Sequence, residues 1–405
     1  MPPPNDTTAT AGGAAAPIAV VCHTVPPYRA HLHRRIAGEE PRLRLITVNT
    51  HNDASRNWPI EAGNDIGLVD LTRGDTMMSN RGPFGWLAEW RRGGEIIELL
   101  KREGVRAVVM NGYNDAGRRR VIRWCQAAAV PCFLWGDSNL ASDRRRTGIN
   151  QRIKRWLVPR MVRLCTGCFA CGSLGKQFWE FYGADPAAVF ISPYEPDYRL
   201  IWDLTDEEVA DAARRHGLAE GRRRLVFSGR LTGVKRVDLL VDAFVALADD
   251  RPDWDLLLIG DGELREELLG RVPDRLRPRT RCTGFLSDQQ EVSRLYRASD
   301  VLVLPSTFEP WALVINEAAA AGMAMVATDV VGAAAELIVN GTNGYVVPAD
   351  DGDALRKAIA RVTDDANTDR MKAASAEVLE DWRRRGDPVE GLREALRFAG
   401  VLAAG

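Results

Sequence analysis

Glu309 and Glu317 stand eight residues apart in the segment Glu309-Pro-Trp-Ala-Leu-Val-Ile-Asn-Glu317. A helix would separate them by roughly 12 Å, at 1.5 Å per residue. That span suits one carboxylate at each end of a sugar–diphosphate–ribose, the first accepting from hexose hydroxyls and the second from ribose hydroxyls. Pro310 fits the first turn of a helix, where its missing N–H would be unpaired anyway. The N–H groups of Trp311, Ala312 and Leu313 would then form an anion site at the positive end of the helix dipole. Upstream, Arg230 and Lys235 supply balancing charge for a diphosphate. The competing reading needs no ligand: Glu309 caps a helix and Glu317 sits on a solvated face.

The elements that must position these groups are short apolar runs alternating with helical stretches, the pattern of parallel sheets covered by helices. In the second half the strands at 224–227, 255–259 and 301–304 each end in polar residues, and so does the run at 279–282. The turns are Ser228-Gly229-Arg230, Gly260-Asp261-Gly262, Thr283-Gly284-Phe285 and Pro305-Ser306-Thr307-Phe308-Glu309. In a parallel sheet these ends share one edge and converge on one crevice. Glycine at strand-to-helix turns also has a purely structural explanation. Further strands are expected at 324–327 and 345–347, and in the first half at 18–22, 43–48, 66–69, 107–110, 132–135 and 189–192. Helices are expected at 86–102, 118–129 and 206–215. With 405 residues, 45% hydrophobic and 27% charged, the chain suits two globular domains. The expected division is a disordered tail over 1–16, a Rossmann-like acceptor domain over 17–200, a Rossmann-like donor domain over 201–380, and a helix packing back over 381–405. Ligand would bind in the cleft between them.

The ordered set Gly229-Arg230-Leu231…Lys235, Leu258-Ile259-Gly260-Asp261-Gly262, Gly284-Phe285 and Pro305-Ser306…Glu309…Glu317 resembles a known signature. It is that of the retaining GT-B glycosyltransferases of the glycogen-synthase-like, glycosyltransferase-4 type. Gly332…Glu336-Leu337-Ile338 and Gly341…Gly344-Tyr345-Val346-Val347 look like the closing segment of that family. The likeness covers roughly 222–355; the first half shares only the layout and Pro27-Tyr28-Arg29 after the first strand. The resemblance implies a GT-B fold and transfer from a nucleotide-diphosphate sugar, with retained configuration, to a glycan, lipid-linked or small-molecule hydroxyl. It implies Arg230 and Lys235 on the diphosphate, Glu309 on the donor sugar, Glu317 on the ribose, and Gly284 and Phe285 near the base. Where the family commonly has Glu-x-Phe-Gly, this chain has Glu309-Pro310-Trp311-Ala312, which adds a methyl group at the expected donor contact.

Such a transfer passes through an oxocarbenium-like state, and pre-placed cations and N–H groups stabilise the departing diphosphate. No Asp-x-Asp element is placed as a metal clamp, so neither metal nor other cofactor is expected beyond the nucleotide-sugar co-substrate. In the first half, Asn111-Gly112-Tyr113-Asn114-Asp115 and Gly136-Asp137-Ser138-Asn139 follow strands. Asp137 is the leading candidate for a sugar or acceptor contact; His23, Tyr28, Arg29, Asn111 and Tyr113 are weaker acceptor candidates. The alternatives are a GT-B relative with epimerase or phosphorylase chemistry, and a non-catalytic nucleotide-sugar-binding protein.

Residues 144–163 carry eight Arg or Lys and no acid. Helical spacing puts Ile149, Ile153, Trp156, Leu157 and Met161 roughly on one side. This segment is either a solvated helix packed on the first sheet or a peripheral contact with the inner face of an anionic membrane. A net charge of −1 and the lack of an aromatic platform argue against nucleic acid. The absence of a signal peptide or spanning run leads to a cytoplasmic expectation with reduced cysteines. Cys165-x2-Cys168-x2-Cys171 lacks the fourth cysteine of a ferredoxin-type cluster and reads as structural.

Overall fold

A computed structural model describes residues 15–51, 64–72 and 85–403. Most of the expected tail therefore lies outside the described residues. The first sheet contains β1 (Ala16–Cys22), β2 (Leu43–Asn49), β3 (Leu68–Asp70), β4 (Ala107–Asn111), β5 (Cys132–Gly136), β6 (Gly167–Ala170) and β7 (Val189–Ile191). Its order is β3-β2-β1-β4-β5-β6-β7, with every pairing parallel. The second contains β8 (Arg223–Ser228), β9 (Trp254–Ile259), β10 (Thr280–Cys282), β11 (Val301–Leu304), β12 (Ala324–Thr328) and β13 (Gly344–Val347). It runs β10-β9-β8-β11-β12-β13, again all parallel. Both orders reverse direction beside their first strand, the doubly wound arrangement in which ligands bind at the reversal. The molecule has the GT-B fold of two Rossmann-like domains.

The runs are continuous rather than alternating because both sheet faces are covered. In β1, Ile18, Val20 and Cys22 enter one core while Ala19 and Val21 enter the other. Cys168 and Cys171 likewise fall in opposite cores, which separates two of the three spaced cysteines across the sheet. The expected strand at 66–69 is shifted, since Asn64–Ile66 is a turn of 3₁₀ helix and the strand begins at Leu68. Gly260 lies at φ 134°, and a Cβ there would come within 2.0 Å of the Gly229 carbonyl oxygen. The turns after β8 and β9 nest this tightly only without side chains.

The last helices return the chain to the first sheet. Helix Asp365–Arg385 packs along the second domain, where Trp382 meets Trp311 with ring centroids 5.8 Å apart. Helix Pro388–Phe398 then lies against β7, with Ser192 Oγ donating to the Pro388 carbonyl at 3.1 Å. Arg35 joins the two ends of the chain by pairing with Glu195 and Asp387. Gly391 sets the closeness of this packing, because a Cβ there would stand 1.9 Å from the Ile191 carbonyl oxygen. In an open helix Gly→Ala stabilises by up to about 1 kcal/mol. Here Gly391→Ala is expected to destabilise by about 1–2 kcal/mol net, because overpacking outweighs propensity. Urea unfolding reads the sign directly, and a stabilised variant would mean the terminal helix is not docked this closely.

Candidate active site

The reversal of the second sheet, between β8 and β11, gathers the charged groups. Lys235 and Glu309 form an ion pair across it, and Ser306 Oγ lies 3.5 Å from the same carboxylate oxygen. Lys235 closes a 3₁₀ turn, Gly233–Lys235, which is tied down where Thr307 N donates to the Val234 carbonyl at 2.9 Å. Arg230 is exposed and makes no ion pair among the described residues.

The segment after Glu309 corrects the expected helix start. The helix is Leu313–Ala320, not one opening at Pro310. Glu309 instead forms a parallel bridge with Val331, Gly332 N donates to the Glu309 carbonyl, and Ala333 N donates to the Trp311 carbonyl. These bonds tie 309–311 to residues 331–333, so the helix cannot begin until they end. Ala312 makes the transition at φ 78°, in the left-handed region where glycine is usual. The methyl group at this position thus meets a backbone constraint as well as the expected donor. The open N–H groups belong to Leu313 and Val314, since Ile315 N donates to the Ala312 carbonyl.

This turn forms one wall of a cavity of about 920 Å³ between the domains. Glu309, Trp311, Ala312, Leu313, Gln289 and Glu317 line it from one side, and Tyr28, Asp137 and Tyr194 from the other. The opposing domain also grips the turn. Asn139 Nδ2 contacts the carbonyls of Glu309 at 3.0 Å, Pro310 at 2.8 Å and Val330 at 3.0 Å. Asn139 Oδ1 meanwhile accepts from Ser142 N at 2.7 Å, capping helix Leu140–Arg144. Ser142 Oγ bonds to Val330 O and Glu309 N. The buried Trp311 indole donates to the Tyr194 carbonyl at 2.9 Å, so Trp311 is chiefly a link between domains.

Other expected residues are placed differently. Gly229 and Gly260 face one another, and Gly284 joins them through Gly260 N donating to its carbonyl at 3.1 Å. Phe285 is 63% exposed and, like the three glycines, lies outside the cavity lining. In the first domain, Arg29 and Asn111 are buried and both donate to the Tyr194 hydroxyl, at 2.9 and 3.0 Å. Their bonds are spent on bracing β4 and helix Pro27–Glu39. His23 sits 3.8 Å from Asp115, and burial followed by the Arg118 charge pushes its pKa down to about 2, leaving a neutral ring. Tyr113 packs into the core on the other sheet face. Among the described residues, no group of His, Cys, Asp or Glu is arranged to hold a metal ion.

Residues 222–365 match the family of group 1 glycosyl transferases. The C-terminal domain is thus similar to the group 1 glycosyl transferases over most of its length. Its relatives include the lipopolysaccharide core biosynthesis mannosyltransferase LpsB of Rhizobium meliloti, 33% identical over 42% of this chain and 49% of that protein. A UDP-Gal:alpha-D-GlcNAc-diphosphoundecaprenol alpha-1,3-galactosyltransferase of Escherichia coli is 26% identical over 67% of this chain and 69% of its own. The match spans about half the length of the first curated relatives. Anabaena Alr3699/HepE, solved with UDP and glucose, superposes with a TM-score of 0.72 at 18% identity, covering 96% of this chain and 100% of that one.

In this domain Glu317 carries a strongly perturbed carboxylate on the cavity wall. Burial raises its pKa to about 7, against hydrogen bonds from Tyr296 and from Gln289 Nε2, the latter at 3.1 Å. Tyr296 is positioned in turn by its 2.7 Å bond to Ser228 at the end of β8. Burial also raises Asp137, with the Arg29 charge opposing it. Neither Gln289 nor Tyr296 was among the sequence candidates; their signal was only helical spacing after the Gly284 turn. A raised carboxyl pKa means that Glu317 is protonated below about 7 and ionised above it. If the ionised form accepts a vicinal diol, nucleotide-sugar affinity should rise by up to about tenfold from pH 6 to 8 as that form fills. Calorimetry across that range checks it, and the same slope in Glu317→Gln would remove Glu317 as its source.

Proposed function

We propose that the protein is a retaining, metal-independent glycosyltransferase that moves a sugar from a nucleotide-diphosphate sugar to an acceptor hydroxyl. The acceptor class is a saccharide, a lipid-linked saccharide or a small molecule. The observation that carries this reading is the interdomain cavity, walled by segment 309–317 and lying beside the Lys235–Glu309 pair. The uridine nucleotide bound by HepE and the diphosphoundecaprenol acceptor of the E. coli relative support it as neighbouring chemistry.

In this reading Glu317 accepts from the ribose hydroxyls, and Glu309 accepts from hydroxyls of the donor sugar. The diphosphate lies between them, over the N–H groups of Leu313 and Val314. As the anomeric carbon–oxygen bond breaks, negative charge grows on the diphosphate, and Arg230 and Lys235 stabilise it. Lys235 is held by Glu309 before donor arrives, so diphosphate binding draws the ammonium from a carboxylate to a stronger anion. The acceptor hydroxyl attacks from the face the diphosphate leaves, and its proton passes to a departing phosphate oxygen. No protein nucleophile is required. Asp137, facing the donor turn across the cavity, orients the reacting sugar or the acceptor. Residues 17–200 supply the acceptor side and 201–380 the donor side. Cytoplasmic supply of nucleotide sugar fits this arrangement.

With UDP-sugars as donors, NMR of the first-formed product should show the donor's anomeric configuration, unaffected by EDTA. Arg230→Gln should lower kcat by roughly a hundredfold, the scale of losing one pre-placed group at a developing charge. An inverted product would contradict the mechanism, and full activity in Arg230→Gln would remove Arg230 from it.

A further inference from the structure

Helix Ile149–Val162 presents three of its apolar residues outward. At about 100° per residue, Ile149, Ile153 and Trp156 fall within roughly 60° of one another. They are 66%, 52% and 58% exposed. Gln151, Val158, Met161 and Val162, on the opposite side, are the ones buried against the first domain. The expected grouping of Met161 with the three is therefore split: Met161 serves the core, and Ile149, Ile153 and Trp156 face away from it. An apolar triad directed off its own core is a binding surface rather than a packing surface.

Its surroundings select the partner. Arg152 and Arg160 flank the triad on the same outward arc, and Arg155 is exposed beside it. None of the three makes an ion pair among the described residues. Arg160 stacks over the Trp156 ring at 4.0 Å. Residues 144–163 contain no carboxylate, and Lys154, which does have a partner, turns inward to Asp143. Uncompensated arginines around exposed Ile and Trp match an anionic bilayer, whose headgroups take the cations and whose acyl boundary takes the side chains. An acidic protein face would have to supply an apolar pocket as well. The preceding stretch is tied to the donor side, with Arg145 paired to Asp350 and Arg146 stacked 4.4 Å over Phe308, the neighbour of Glu309. Docking here would therefore hold the donor turn close to the membrane surface.

We propose that this face docks the protein on an anionic lipid bilayer. It rests on the glycosyltransferase reading only for its purpose, delivery of a lipid-linked acceptor to the cleft. The binding is testable without any transfer reaction. Full-length protein is sedimented with vesicles of phosphatidylcholine containing about one-third phosphatidylglycerol, a composition that gives arginines near the surface their electrostatic gain. Binding should be strong, weaken in high salt, and be absent from pure phosphatidylcholine. Arg152→Gln/Arg160→Gln should bind roughly twenty-five-fold more weakly, about fivefold for each arginine. Ile153→Ser/Trp156→Ser should lose binding by at least about tenfold. UDP affinity, measured alongside, should be unchanged in both variants, which shows each to be folded. No binding by the parent protein, equal binding to neutral vesicles, or parent-like binding by both variants would overturn the proposal. So would a dimer in solution that Ile153→Ser/Trp156→Ser dissolves, which would make the face a contact between copies of this chain. Vesicle binding without UDP binding would instead count against the glycosyltransferase reading alone.

Discussion

One side-chain amide joins the halves of this cleft. Asn139 ends the loop after β5, caps the following helix with its oxygen, and directs its nitrogen at three carbonyls of the opposite domain. Two of them belong to Glu309 and Pro310, the turn that carries the carboxylate proposed to meet the donor sugar. Buried carbonyls that lose such a donor cost about 1–3 kcal/mol. The domain contact thereby adds a second hold on Glu309, beside its own-domain bridge to Val331. Ser142 and the Trp311–Tyr194 bond reinforce the same seam. In the proposed reading, the seam brings the donor-side and acceptor-side groups to face one another across one cavity.

The electrostatics of the donor side follow from the same turn. Glu309 is tied by its bridge to Val331, which aims its carboxylate at Lys235 rather than along a helix. The free protein therefore keeps the Lys235 ammonium neutralised and in place. At the other end, Glu317 is buried enough to resist ionisation, with Gln289 and Tyr296 ready to orient it. The two glutamates differ in kind: one is a member of an ion pair, the other a desolvated acceptor with neutral hydrogen-bond partners.

Much of the architecture could be read from the chain because parallel strands buried on both faces are continuous apolar runs. The polar residues after them sit at strand ends for a topological reason. The order of strands was not readable, since no local residue records which neighbour a strand pairs with. Lys235 and Glu309 were both singled out, yet their pairing with each other depends on β8 and β11 being adjacent. The helix start was misplaced because Pro310 fits a first turn locally, while the bonds that forbid it come from residues 331–333. Asn139 stood in a loop flagged for Asp137, and only a three-dimensional view distinguishes a capping amide from one that also reaches another domain. Periodicity found the apolar side of helix Ile149–Val162 but not which part of it faces outward.

The most direct test is Asn139→Ala, assayed for both UDP affinity and turnover of a nucleotide sugar. In the proposed donor pose the nucleotide end lies at Glu317, Gln289 and Tyr296, which Asn139 does not touch, so UDP affinity should stay within about twofold. Turnover should fall by roughly thirtyfold, the rate equivalent of about 2 kcal/mol, as Glu309 loses its cross-domain support. Unchanged turnover, or a parallel loss of UDP affinity, would contradict the claim that the seam positions the reacting end of the donor.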